Sequence, residues 1–194
     1  MYIAIEGIDT CGKSTQISLL KEALPEAVFT KEPGGTEVGA KLREILLGDY
    51  ELDSRAEFLM FLADRAQHSH FLLKPALEQN KTVITDRSLI SGLAYSNKLF
   101  DESFKVHATK FAMDGVAPDL CVLLELDEDE LVSRLGAKEH DRIEKQGIAY
   151  LLEVQSNIIK YAEVLGVKLL KISAKMDRDK ICQTIIDNIK EKSC

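Results

Sequence analysis

The chain has 194 residues, enough to bury a sizeable core within one α/β domain. Its 45% hydrophobic and 29% charged content is that of an ordinary soluble globular protein. A net charge of −7 argues against general binding to nucleic acid or to an anionic membrane, so any anion site must be a local basic pocket in an acidic shell. The four cysteines, at 11, 121, 182 and 194, have no C-x-x-C spacing and no disulfide-framework density, as expected for reduced thiols in a cytoplasm. A strand is expected from the first residues, leaving no room for a signal peptide, and no apolar run reaches membrane-spanning length.

Met1 to Glu6 is a short, β-branched apolar run that reads as a strand. It feeds Gly7-Ile8-Asp9-Thr10-Cys11-Gly12-Lys13-Ser14, a match to G-x-x-x-x-G-K-[ST] at every fixed position. Thr15 to Leu24 then places Ile17, Leu20 and Leu24 at helical spacing, with Pro25 as a stop. Strand, glycine loop and helix are the setting in which successive N–H groups converge on a phosphate. Lys13 is expected on the β- and γ-phosphates and the Ser14 hydroxyl on Mg²⁺. A plain glycine turn would explain Gly7 and Gly12 but neither Lys13 nor Ser14. The motif therefore predicts binding of a nucleoside triphosphate.

Further along, Ala27 to Thr30 reads as a second strand ending in Lys31-Glu32-Pro33-Gly34-Gly35-Thr36. Helices are expected over Glu37–Leu47 and Ser54–Leu73, and a strand over Lys81–Asp86. Helices over Leu89–Lys98 and Ser103–Met113 precede Leu120–Leu126, whose near-continuous apolar character predicts burial on both faces. Asp127 is the expected N-cap of the next helix. A polar segment, Gly136–Arg142, leads to a helix over about Glu144–Leu165, then strand Val167–Ile172 and helix Asp177–Lys192. Five strands with helical crossovers predict an α/β fold: a three-layer P-loop NTPase arrangement, a five-stranded parallel sheet with helices on both faces. Ligands in such sheets sit beyond the carboxyl ends of the strands, which brings the loops after Glu6, Thr30, Thr85, Leu126 and Ile172 to one edge.

At that edge, Asp86 can reach the water shell of a metal beside Ser14, and Arg87 can hold a phosphate between donor and acceptor. The same pair also reads as an exposed turn or surface ion pair. Arg43 and Arg65 are each compatible with a solvated side chain. Phe61 and Arg65 share a helix face and can frame one ligand, although a Phe at helical spacing is also a common core residue. His68, His70, His107 and His140 show no ligand spacing with the cysteines, so no structural metal is expected.

The ordered set Ile5-Glu6-Gly7-Ile8-Asp9, Lys13-Ser14-Thr15, Glu32-Pro33-Gly34-Gly35-Thr36, Phe61-Leu62-Ala63-Asp64-Arg65, Asp86-Arg87 with Ser91 and Ala94-Tyr95, and Asp141-Arg142-Ile143-Glu144 resembles the thymidylate kinase family over nearly the whole chain. The resemblance implies transfer of the ATP γ-phosphoryl to dTMP with Mg²⁺, by a cytoplasmic homodimer whose single domain, 1–194, carries a lid at about 136–144. It also implies residue roles. Asp9 takes the 3′-hydroxyl of dTMP with Glu32 nearby, Phe61 stacks on thymine, and Arg65 bonds the base edge. Arg43 and Arg87 clamp the acceptor phosphate, Ser91 lies beside them, and Tyr95 lies against the deoxyribose. Arg142 lies near the adenine, and the loop from Ser173 to Arg178 shapes its pocket. Lys31 and Ser96 depart from residues common in the family at those places. Thr10 stands where one subclass carries a loop arginine, so the transition-state cation is expected from the lid, through Lys138 or Arg142. Three readings compete: another nucleoside-monophosphate or deoxynucleoside kinase, a GTPase-type switch, and a structural P-loop relic, against which intact Lys13, Ser14 and Asp86 argue. The switch would need an N-K-x-D motif, whereas Asn97-Lys98 is followed by Leu99-Phe100.

Overall fold

A computed structural model describes residues 1–96, 100–135 and 147–193. Strands β1 (Tyr2–Glu6), β2 (Val28–Lys31), β3 (Val83–Asp86), β4 (Leu120–Glu125) and β5 (Lys168–Ser173) form one parallel sheet in the order β2-β3-β1-β4-β5. All five residues of β1 are buried, as are the first five of β4, so both faces of the sheet centre are covered. The edge strands β2 and β5 are only partly buried, which accommodates Lys168 and Lys171 in β5.

The helices are α1 (Lys13–Ala23), α2 (Glu37–Leu47), α3 (Ser54–His68), α4 (Lys74–Glu78), α5 (Leu89–Tyr95), α6 (Glu102–Met113), α7 (Glu128–Leu135), α8 (Ile148–Val164) and α9 (Arg178–Ser193). Helix α5 packs on α8, α2 on α3, α3 on α6 and α1 on α9. Side-chain caps begin several of them: Thr36 accepts from Gly39 N, Ser88 from Ile90 N and Asp101 from Phe104 N. Asp127 accepts from Glu130 N at 3.0 Å, the cap expected from its position. Among the described residues, no helix is long and apolar enough to cross a membrane.

Several boundaries differ from expectation. The helix read as Ser54–Leu73 is α-helical only to His68, then widens into a π-turn over Ser69–Leu73 and resumes as α4. Pro75 falls in the first turn of α4, where its missing N–H costs little, so it does not end the helical run. Within the turn, the buried Ser69 donates to Met113 O at 2.7 Å, a bond to α6 that periodicity cannot reveal. Helix α5 stops at Tyr95, short of the expected Lys98, because Ser96 is extended.

The chain runs from β1 outward past β3 to β2, returns to β3, and crosses to β4 on the other side of β1. The carboxyl end of β1 is thus the point where the strand order reverses, the usual ligand crevice of such sheets. Parallel pairing sets Ile5 opposite Asp86, and Arg87 N bonds to Ile5 O at 3.0 Å. The loop after β1 and the Asp86-Arg87 pair are therefore neighbours.

Candidate active site

The loop from Gly7 to Gly12 curls around a lysine. Lys13 is 7% exposed, and its Nζ donates to Gly7 O at 2.9 Å and Ile8 O at 3.0 Å, with Asp9 Oδ1 at 4.0 Å. Gly12 has φ 100° at the entrance to α1, a backbone state that disfavours a side chain. Gly7 is needed for close packing as well: a Cβ there would lie 2.6 Å from Cys11 Sγ and 2.9 Å from Leu124 O. Ile8 and Cys11 are buried beneath the loop, Thr10 is left-handed at φ 67°, and Ser14 and Thr15 are exposed at the start of α1.

Arg87 links this loop to the next. Its Nη1 donates to Gly7 O and to Ser91 Oγ, both at 3.1 Å, and its Nη2 donates to Asp9 Oδ1 at 2.6 Å. The guanidinium lies over the Tyr95 ring, 5.0 Å from its centroid. Burial opposes the charge, but Tyr95, Asp9, Glu6 and Asp86 more than offset it, so Arg87 holds its proton more tightly than an ordinary arginine. The surface-pair reading of Asp86-Arg87 is thereby excluded for Arg87.

Behind Arg87 stands Glu6, fully buried at the end of β1. It accepts from Ser88 Oγ at 2.7 Å, from Ser91 N at 3.3 Å, and from Ser91 Oγ. Burial raises its carboxyl above the usual range against the pull of those donors. Ser91 thus has both a donor and an acceptor role inside the protein, as a bridge from Glu6 to Arg87. No motif of the sequence assigns Glu6 a function. The available signal was an acid ending an otherwise apolar buried strand, since a buried charge requires partners.

A second cluster surrounds the Glu32–Pro33 turn, whose peptide bond is cis. Glu32 is 4% exposed and lies between two side chains of α3: His68 Nδ1 is 2.9 Å from Oε1, and Arg65 Nε is 3.4 Å from Oε2. His68, fully buried, is hydrogen-bonded to Thr30 Oγ1 at 2.8 Å. Asp64 Oδ1 accepts from Gly34 N at 2.9 Å, and Arg43 Nη1 donates to Pro33 O at 2.7 Å. Arg65 is 3% exposed, with its guanidinium 5.7 Å from the Phe61 centroid. Phe61 itself is half-buried; the core aromatic of α3 is Phe58, which stacks on Phe100 at 5.2 Å. The solvated-arginine and core-phenylalanine readings therefore fail at 65 and 61. His68 was missed because its partners lie 36 and 38 residues away in sequence.

These two clusters share one cavity of about 820 Å³, a size usual for small-molecule sites. Asp9, Arg43, Phe61, Arg65, Arg87 and Tyr95 all line it. It combines aromatic rings with convergent cations, so it suits a planar, anionic ligand.

On the other side of the phosphate loop, Arg134 of α7 donates from Nη1 to Thr10 O at 3.0 Å and from Nη2 to Ala174 O at 2.9 Å. It ties the loop to the segment after β5, and no sequence signal singled it out. Ser173 and Arg178 flank that segment, and Arg178 O accepts from Gln16 Nε2 at 3.0 Å. Lys138 and Arg142 lie outside the described residues.

Among the described residues, no group of three or more His, Cys, Asp or Glu side chains could hold a metal ion. Mg²⁺ is commonly held by one or two protein oxygens and the substrate phosphates. Asp86 Oδ1 is buried without a hydrogen-bond partner beside the loop, and with the Ser14 hydroxyl it fits that donor set.

Comparisons with known proteins agree with this geometry. Residues 5–185 match the family model described as thymidylate kinase. The chain is 51% identical over 186 residues to a thymidylate kinase of Wolinella succinogenes, covering 96% of both chains. It is 47% identical over 191 residues to one of Sulfurimonas denitrificans, covering 97% of this chain and 99% of that one. The crystal structure of a thymidylate kinase from Ehrlichia chaffeensis superimposes with a TM-score of 0.77 at 28% identity, covering 98% of each chain. The chain belongs to the thymidylate kinase family, and it is a nucleoside monophosphate kinase, a phosphotransferase.

Proposed function

We propose that the chain transfers the γ-phosphoryl of ATP to dTMP, giving ADP and dTDP, with dTMP in the 820 Å³ cavity and ATP on the phosphate loop. The observation that carries this is Arg87, which joins the loop carbonyl of Gly7 to Asp9 inside the cavity. An arginine there can draw the acceptor phosphate toward the loop, and Arg43 supplies a second cation. The dTMP phosphate is already ionised near neutral pH, so positioning and charge neutralisation do the work and no strong base is needed. Lys13 and the loop amides hold the donor phosphates, while Phe61 stacks on the base, Arg65 meets its edge, and Asp9, Glu32 and Tyr95 contact or support the sugar side. Ser14 and Asp86 would hold Mg²⁺, which would supply charge neutralisation at the donor phosphates.

Family resemblance implies a single domain over 1–194 with a lid at 136–144, outside the described residues; on that reading Lys138 supplies the transition-state cation that Thr10 does not, and Arg142 serves the adenine. Lys138→Ala should then lower kcat and kcat/KM together with little change in ATP binding, whereas Arg142→Ala should also weaken ATP. Wild-type turnover in Lys138→Ala at saturating substrates would remove the lysine from catalysis. A homodimer is supported by exposed apolar side chains on mutually packed elements: Leu59, Phe71, Phe104 and Phe111. Sedimentation showing a monomer at micromolar concentration would end that reading. Cys11, Cys121 and Cys182 are free and buried, which fits a reducing cytoplasm.

The reaction is tested by ADP release with dTMP against dUMP, dCMP, dGMP and AMP. The reading requires dTMP to be preferred by kcat/KM; equal use of AMP or dGMP would overturn it.

A further inference from the structure

Gly92 sits in the interior of α5, where its N–H bonds to Ser88 O at 3.2 Å. Its φ is outside the left-handed region, so the backbone makes no demand for glycine, and glycine inside a helix is costly relative to alanine. The explanation lies across the cavity. A Cβ on Gly92 would be 1.6 Å from Arg65 Nη2 and 2.3 Å from Arg65 Cζ. The arginine is 3% exposed, with Glu32 Oε2 3.4 Å from Nε and Phe61 beside it, so a side chain at 92 would push its guanidinium off α5 and into the cavity it lines. Its guanidinium fills the volume that a side chain at 92 would take.

We infer that Gly92 determines base specificity: by carrying no side chain, it seats the Arg65 guanidinium against α5, where the acceptor base must meet it. Gly92 is a positioning residue, acting through Arg65, and the inference rests on the reading of this cavity as the acceptor site. A guanidinium offers N–H donors and no acceptor. A keto oxygen on the base edge completes it, whereas the amino group of cytosine presents donors to donors and leaves buried groups unpaired. Displacing the guanidinium by one methyl group should therefore weaken the preference for a keto base along with dTMP binding.

The test is a cycle of Gly92→Ala, Arg65→Ala and the double variant, with steady-state kinetics on dTMP and dCMP and with Tm. Gly92→Ala alone should raise the dTMP KM about tenfold or more, leave the ATP KM within about twofold, and narrow the dTMP-over-dCMP ratio of kcat/KM. It should also lower Tm. In the Arg65→Ala background the same change should move the dTMP KM less than about twofold and raise Tm, because the clash is gone and alanine is the better helix former. That reversal in the sign of the Tm change is a readout independent of activity. Folding of the double variant where Gly92→Ala alone fails to fold would equally support the inference. Equal effects of Gly92→Ala in both backgrounds, or failure to fold in both, would overturn it. If Arg65→Ala itself left the dTMP KM unchanged, the acceptor-site reading and this inference would both fall. If Arg65→Ala raised it and Gly92→Ala added independently, only the inference would fall.

Discussion

Arg87 Nη2 and Asp9 Oδ1, 78 residues apart in the chain, are 2.6 Å apart in the folded protein. The same guanidinium holds Gly7 O and Ser91 Oγ, so its orientation is fixed before any substrate arrives. A lysine could replace the charge but not this fork of contacts. Arg87→Lys should lower kcat/KM for dTMP by about 10²-fold or more, while ATP binding measured by calorimetric titration stays nearly constant. Retention of full kcat/KM in Arg87→Lys would show that the charge alone suffices.

Arg134 bridges Thr10 O and Ala174 O from α7. Arg134→Ala leaves both carbonyls without that donor and frees the phosphate loop from the segment after β5. The ATP KM should rise several-fold, in line with losing hydrogen bonds to a charged group at about 1.5–3 kcal/mol each at most, with the dTMP KM little changed. Equal rises in both KM values would mean that Arg134 supports the fold as a whole.

Stability should depend on pH in two opposite ways. Burial raises Glu6 from its ordinary 4.5 and Asp64 from its ordinary 3.8. The folded protein binds those protons more tightly than the unfolded chain, so their contribution is full below the ordinary values and is lost as pH rises through the raised ones. Asp53, Asp114 and Asp127 are held below 3.8 by Arg55, Lys74 and Lys175, and their contribution is lost only as pH falls through the lowered values. Tm measured by calorimetry should accordingly rise as pH falls through the raised values of Glu6 and Asp64 toward their ordinary 4.5 and 3.8, and fall in stronger acid. Glu6→Gln should flatten the upper limb. An unchanged upper limb in that variant would assign the slope to other groups.

Cys11 lies in the phosphate loop with its Sγ 3.8 Å from Lys13 Nζ, and a cysteine must be accessible to react. The fold makes it inaccessible: Cys11 is 2% exposed, with its Sγ packed where Gly7 leaves room. Native protein treated with an alkylating reagent should remain unmodified at Cys11, Cys121 and Cys182, and all three should label in denaturant. Rapid native labelling of Cys11 with loss of activity, blocked by ATP, would reverse this conclusion.

The phosphate loop, the five parallel strands and the line of loops along one sheet edge were legible because each rests on local spacing. The fixed positions of Gly7, Gly12, Lys13 and Ser14 carry their own backbone and charge requirements. The uninterrupted apolar runs of β1 and β4 record burial on both faces. Helix boundaries were less legible: the π-turn at Ser69–Leu73 is tied to Met113 O, a partner in another helix.

The interior of the site was decided by the tertiary structure alone. Glu6 reads in sequence as one polar residue at a strand end, His68 as one histidine on a helix, Arg134 as a surface arginine and Gly92 as a weak helix position. Their meaning comes from Ser91, Glu32, Thr10 and Arg65, each brought into contact from another segment by the crossovers of the sheet. Residue spacing encodes a period along one element, and it carries no record of which side chain will face it from an element dozens of residues away. The phosphate-binding chemistry was therefore written locally, while the seating of Arg87 and Arg65 depended on packing between elements.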